Sequence, residues 1–95
     1  MSPTSEAAIV RKILKRLNEL PQCRAEKRHG DSYGRASVDI TGCLAGRMFQ
    51  IEVKAPGNKA TPRQQHTLDV WAKAGAMTGV ATSVDEALVI VEVAA

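Results

Sequence analysis

Apolar side chains recur at helical spacing near the start of the chain. Ile9, Val10, Ile13, Leu14, Leu17 and Leu20 share one side, and Arg11, Lys12, Lys15 and Arg16 fall largely on the other. Thr4 or Ser5 supplies an N-cap, Glu6 puts negative charge in the first turn, and Pro21 ends the segment, so an amphipathic helix is predicted. Residues 22–28 (QCRAEKR) alternate weakly, as an edge strand does, and the following HGDSYGRAS reads as a loop. VDITGC reads as a strand and Ala45-Gly46 as a hairpin turn. MFQIEVK alternates cleanly, with Phe49, Ile51 and Val53 on one face and Gln50, Glu52 and Lys54 on the other. After the loop APGNKA, Thr61-Pro62-Arg63-Gln64 opens a second helix: Thr61 is the N-cap, Pro62 sits at N1, and Gln64 completes a capping box. Leu68 and Trp71 form its buried stripe, and Gly75 closes it. AMTGVAT reads as a fourth strand, and Ser83 with Glu86 forms a second capping box. VIVEV at 89–93 either extends that last helix or makes a final strand. The order is α-β-β-β-α-β-α, an α/β fold with helices flanking one mixed sheet.

Composition narrows the class. Ninety-five residues suit a single domain, 1–95. With 44% hydrophobic and 24% charged residues the chain is an ordinary globular mix rather than a disordered one. No apolar run is long enough for a membrane span, and MSPTSEAAIVRK lacks the apolar stretch of a secretory leader. Cys23 and Cys43, with no CxxC, exclude a disulfide scaffold or a four-cysteine zinc site built from this chain alone. A reducing cytoplasm is the expected location.

The net charge of +3 hides an asymmetry. Residues 1–35 carry eight basic and four acidic side chains, whereas residues 64–95 carry one basic and four acidic. A basic front suits a polyanion on one face; the alternative is a solvated surface of mixed sign. Aromatic residues are confined to Tyr33, Phe49 and Trp71, which disfavours a base-stacking platform for single strands. Trp71 is expected in the core, and Cys23 and Cys43 as small strand residues. His29 and His66 read as surface residues, and Tyr33 has no assigned role.

The hairpin carries the chemistry. With Ala45 and Gly46 as its turn, Asp39 lies directly across from Glu52, and opposed residues share a face with Cβ atoms about 4.5–5.5 Å apart. Like charges so close need compensation, and a divalent cation supplies it, because carboxylate oxygens are the ligands Mg²⁺ prefers. Lys54 projects from the same face, beside a metal-bound water or an attacked phosphate. Each residue has a plainer reading: Asp39 as a strand-end polar group, Glu52 and Lys54 as a solvated face, Gln64 as a cap. A bulge at Gly42 or Gly46 would turn Asp39 to the other face.

The blocks Val38-Asp39-Ile40, Gly46-Arg47, Ile51-Glu52-Val53-Lys54, Pro56-Gly57 and Thr61-Pro62-Arg63-Gln64 resemble the VRR-NUC (virus-type replication-repair nuclease) domain of the PD-(D/E)XK nuclease superfamily. The likeness runs from Glu6 to about Glu86. It implies a restriction-endonuclease-like core and a Mg²⁺- or Mn²⁺-dependent endodeoxyribonuclease. By this resemblance Asp39, Glu52 and the Val53 carbonyl bind the metal, and Glu6 of the first helix can approach it. Lys54 is the lysine of the E-x-K motif and Gln64 the motif glutamine near the site. Small stand-alone members come from phages and bacteria, and some act on branched DNA as homodimers. The implied partner is therefore branched duplex DNA, including four-way (Holliday) junctions, with no organic cofactor and no membrane. Arg11, Lys12, Lys15, Arg16, Arg28, Arg35, Lys59 and Arg63 are the candidate phosphate contacts, which would give affinity without reading sequence. Two other readings stand beside this one: a catalytically silent DNA-binding module that recruits replication-repair proteins, and a small acidic-pocket protein with a structural cation.

Overall fold

The computed structural model describes residues 5–28 and 38–93. Its elements are α1 (Glu6–Asn18), β1 (Cys23–Lys27), β2 (Ile40–Leu44), β3 (Arg47–Val53), α2 (Pro62–Lys73), β4 (Met77–Ala81) and α3 (Val84–Ile90). The order is the one expected. VIVEV resolves in favour of the helix, which runs to Ile90 with Val91 as its cap. Of the two candidate first caps, Ser5 holds the position, accepting the Ala8 N–H at 3.1 Å. Thr4, and the loop with His29, Tyr33 and Arg35, lie outside the described residues.

The four strands lie in the order β1-β2-β3-β4, the first three antiparallel and β3 parallel to β4. A parallel pair needs a crossover, and α2 supplies it. The β2–β3 ladder is unbroken from Ile40↔Ile51 to Leu44↔Arg47. Ala45 and Gly46 both have positive φ, +50° and +86°, as a two-residue primed turn requires. Neither Gly42 nor Gly46 makes a bulge. Gly42 is there for another reason: a Cβ would stand 2.2 Å from the Arg24 carbonyl oxygen and 2.4 Å from the Phe49 ring.

One face of the sheet, with Ala25, Ile40, Phe49, Ile51, Val53, Met77 and Ala81, packs against Ile9, Val10, Ile13 and Leu17 of α1 and Ala87 and Leu88 of α3. The other face is covered only in part, because α2 packs on β3 and β4. A shallow hollow of about 490 Å³, lined by Arg24, Glu26, Thr41, Cys43 and Met48 among others, opens over β1 and β2.

Two expectations are corrected and one plainer reading is set aside. The alternation of β3 sorts its residues by face as expected, but the second face is not solvated at Gln50 and Glu52, which α2 leaves 0% and 3% exposed. Trp71 is only half-buried, and Leu68 is the buried residue of α2. At α3, Ser83 caps the Glu86 N–H, but the Glu86 carboxylate accepts from the N–H and hydroxyl of Thr82 rather than from Ser83. Those two bonds hold the Glu86 carboxyl below its ordinary range.

Edge strand β1 has its own cover. The Asn18 amide accepts the Ala25 N–H at 2.8 Å and donates to the Ala25 carbonyl at 3.0 Å. A side chain thus takes both hydrogen-bonding groups that an added strand would use at this position.

Candidate metal centre

Three elements meet at one end of the sheet: the residue leading into β2, the end of β3, and the loop entering α2. Asp39 immediately precedes Ile40, whose partner is Ile51, so the next position outward sets Asp39 against Glu52. The backbone N–H of Arg28 donates to the Asp39 carbonyl at 2.8 Å and ties the end of β1 to the same place. Asp39 Oδ2 accepts the Val53 N–H at 2.8 Å. The side chain therefore closes the β3 ladder where β2 has not yet begun.

Glu52 is almost wholly enclosed, and its Oε2 is buried without a hydrogen-bond partner. Burial, then the charge of Asp39 and a close approach of its side chain, push the Glu52 carboxyl up to about 8; Lys54 opposes this, and Glu6 adds slightly to it. Lys54 Nζ stands 4.0 Å from Glu52 Oε1, with 15% of its side chain exposed. Its backbone N–H is held by the Ala81 carbonyl, so the chain leaves β3 still bonded to β4.

Gln64 caps α2 as the sequence pattern implies. Its Oε1 accepts the Thr61 N–H at 2.9 Å, and its own N–H donates to Thr61 Oγ1 at 3.2 Å. The side-chain oxygen is thus occupied by the cap. Glu6 Oε1 accepts the Ala55 N–H at 3.4 Å. Among the described residues no set of three or more His, Cys, Asp or Glu side chains is gathered to hold a metal ion.

The basic candidates divide by face. Arg11, Lys12, Lys15 and Arg16 ride on α1, across the sheet from Glu52, with Arg16 4.0 Å from Glu19. Arg28 adjoins Asp39 through its backbone. Lys59 lines a 360 Å³ hollow with Gln65 and Val80, and Val80 is the β4 partner of Glu52. Arg63 lies exposed in the first turn of α2, and Arg35 is outside the described residues. His66 is exposed, as expected; Cys23 is half-buried and Cys43 exposed.

The half-buried Asp39 carboxyl faces the enclosed one of Glu52, with an ammonium beside them, on an α-β-β-β-α-β-α frame, and that frame is similar to a known one. A solved structure described as a VRR_NUC domain aligns with a TM-score of 0.69 and 24% identity, covering 94% of this chain and 97% of that one. The chain has the VRR-NUC fold. It is a restriction-endonuclease-like α/β fold, a mixed four-stranded sheet flanked by helices. No family profile matches the sequence, and no curated protein does. No described helix is long and apolar enough to cross a membrane.

The donor set fits a hard divalent cation. It holds two carboxylates, one with a buried partnerless oxygen, and no soft ligand; Mg²⁺ is usually held by one or two carboxylates, with waters and substrate phosphate in its other positions. Sequence reasoning passed over Gln50, placed between Phe49 and Ile51 on the Glu52 side. Its one signal was a polar residue at a same-face position two before a proposed ligand.

Proposed function

We propose that the protein is a metal-dependent DNA endonuclease that hydrolyses phosphodiester bonds. The observation that carries this is Asp39 opposed to enclosed Glu52, with Lys54 4.0 Å away, on a VRR-NUC fold. Asp39 and Glu52 would hold Mg²⁺ or Mn²⁺ together with the Val53 carbonyl. When bound, the cation supplies charge neutralisation on the phosphate and a more acidic water.

The remaining roles belong to the chain. Asp39 is held by the Val53 N–H, so one carboxylate oxygen stays committed to the fold and the other would act as the ligand. Lys54 places a positive charge beside the scissile phosphate, orienting the attacking water or balancing transition-state charge. Gln64, locked in its capping box, sets the position of the loop entering α2, and its amide N–H groups remain for a water or a phosphate oxygen. Arg28, whose backbone adjoins Asp39, and Lys59, in the hollow beside Val80, would serve with exposed Arg63 as phosphate contacts, whose charge gives affinity independent of sequence.

A chain this small covers little DNA alone. Branched duplex cut by a symmetric pair of copies, one active site per strand, is the substrate and assembly that this reading favours. The test uses labelled linear duplex, flap and four-way-junction DNA with Mg²⁺, Mn²⁺ or EDTA, and Glu52→Gln as the control. Cleavage with either metal, lost in EDTA and in the variant, and strongest on branched DNA, is expected. Tight binding with no cleavage under any condition would overturn the nuclease reading and favour a silent DNA-binding module.

A further inference from the structure

Gln50 is 0% exposed in the middle of β3, an uncommon place for a primary amide. Its Nε2 is 2.9 Å from Oγ1 of Thr41, its direct cross-strand partner, and its Oε1 is buried with no partner. Two residues along the same strand, on the same face, Glu52 Oε2 is also buried with no partner. Same-face neighbours on a strand are about 6.6 Å apart, a gap that a glutamine and a glutamate leaning toward each other span.

One rearrangement would give both groups a partner. The oxygen and nitrogen ends of a primary amide have the same shape, so the surrounding donors and acceptors decide which end points where. The Thr41 hydroxyl can donate as well as accept. With the amide turned by half a rotation, Gln50 Oε1 accepts the Thr41 proton and Nε2 offers an N–H to the neighbouring carboxylate. That oxygen has a second lone pair, so the bond leaves it free to take a cation as well.

We propose that Gln50 is a positioning residue for Glu52: oriented by the Thr41 hydroxyl, its amide donates to the Glu52 carboxylate and fixes that side chain opposite Asp39. The assignment deepens the metal reading above and rests on it for its consequence. Groups that hold a metal ligand in place commonly change metal affinity about 10–100-fold when removed.

Two measurements test it. In metal-free, ¹⁵N-labelled protein, nuclear Overhauser effects from the Gln50 amide protons to the Glu52 methylenes are expected; effects only to Thr41 would overturn the assignment. Titration with Mn²⁺, followed by water-proton relaxation, is expected to show about tenfold weaker uptake by Gln50→Met, with cooperative unfolding retained. Thr41→Ser keeps the hydroxyl and is expected to bind Mn²⁺ like the wild type, whereas Thr41→Val weakens binding. This pair also decides the matter if Gln50→Met does not fold. Wild-type affinity in Gln50→Met, or equal loss in Thr41→Ser and Thr41→Val, would overturn the proposal. Absence of Mn²⁺ uptake by the wild type would overturn the metal reading instead, and the Overhauser contacts would still decide where the amide points.

Discussion

Asp39 Oδ2 accepts the Val53 N–H at 2.8 Å, so a candidate metal ligand is also the last rung of the β2–β3 ladder. Removing it affects two properties at once. Asp39→Ala leaves a buried donor unpaired, at a cost of about 1–3 kcal/mol. Asp39→Asn keeps an acceptor oxygen. Urea unfolding is expected to show a clear loss for Asp39→Ala and near-wild-type stability for Asp39→Asn, while Mn²⁺ titration finds weakened binding in both. Equal stability of the two variants would contradict the bond.

Glu52 should make the metal-free protein less stable as pH rises. An ordinary glutamate carboxyl titrates near 4.5, and in the folded chain this one is pushed up to about 8. Between those values the folded state holds a proton that the unfolded state has released. Raising the pH through this window therefore favours unfolding, by at most about 1.4 kcal/mol per pH unit from this one group. Thermal unfolding from pH 5 to 9 is expected to show the decline, and Glu52→Gln to flatten it. Cation binding at pH 7 should release close to one proton, read as a buffer-dependent heat in calorimetry.

Lys54 lowers the Glu52 pKa while burial and Asp39 raise it. Lys54→Met is therefore expected to move the proton release of the previous experiment to higher pH. Under the nuclease reading it slows single-turnover cleavage by about 10²-fold or more while changing DNA affinity only a few-fold. An equal loss in both would make Lys54 a phosphate contact.

Asn18 blocks strand addition at β1 through its paired bonds to Ala25. Asn18→Ala exposes one outward N–H and one C=O on an edge strand, which is a template for pairing with another chain. A loss of about 1–3 kcal/mol in unfolding free energy and concentration-dependent self-association by light scattering are expected. A monodisperse variant of unchanged stability would show that the plug is dispensable.

Local patterns in the chain were enough to place the described elements, apart from the end of α3, where VIVEV read equally as helix or strand. The α1 stripe, the Thr61-Pro62-x-Gln64 cap and the alternation of β3 depend on near neighbours, and near neighbours can be read along a line. The opposition of Asp39 and Glu52 was legible for the same reason: a two-residue turn sets hairpin register arithmetically, provided no bulge intervenes. What needed three dimensions was everything fixed by long-range packing. α2 settles over β3 and β4, and this turns the outward half of an alternating strand into a buried layer that encloses Gln50 and Glu52. Enclosure is what lifts the Glu52 pKa and leaves polar oxygens without partners, because desolvation depends on what lies above the sheet rather than on what is adjacent in sequence. The same packing sets the basic stripe of α1 on the face opposite the carboxylates and leaves Trp71 only half-covered.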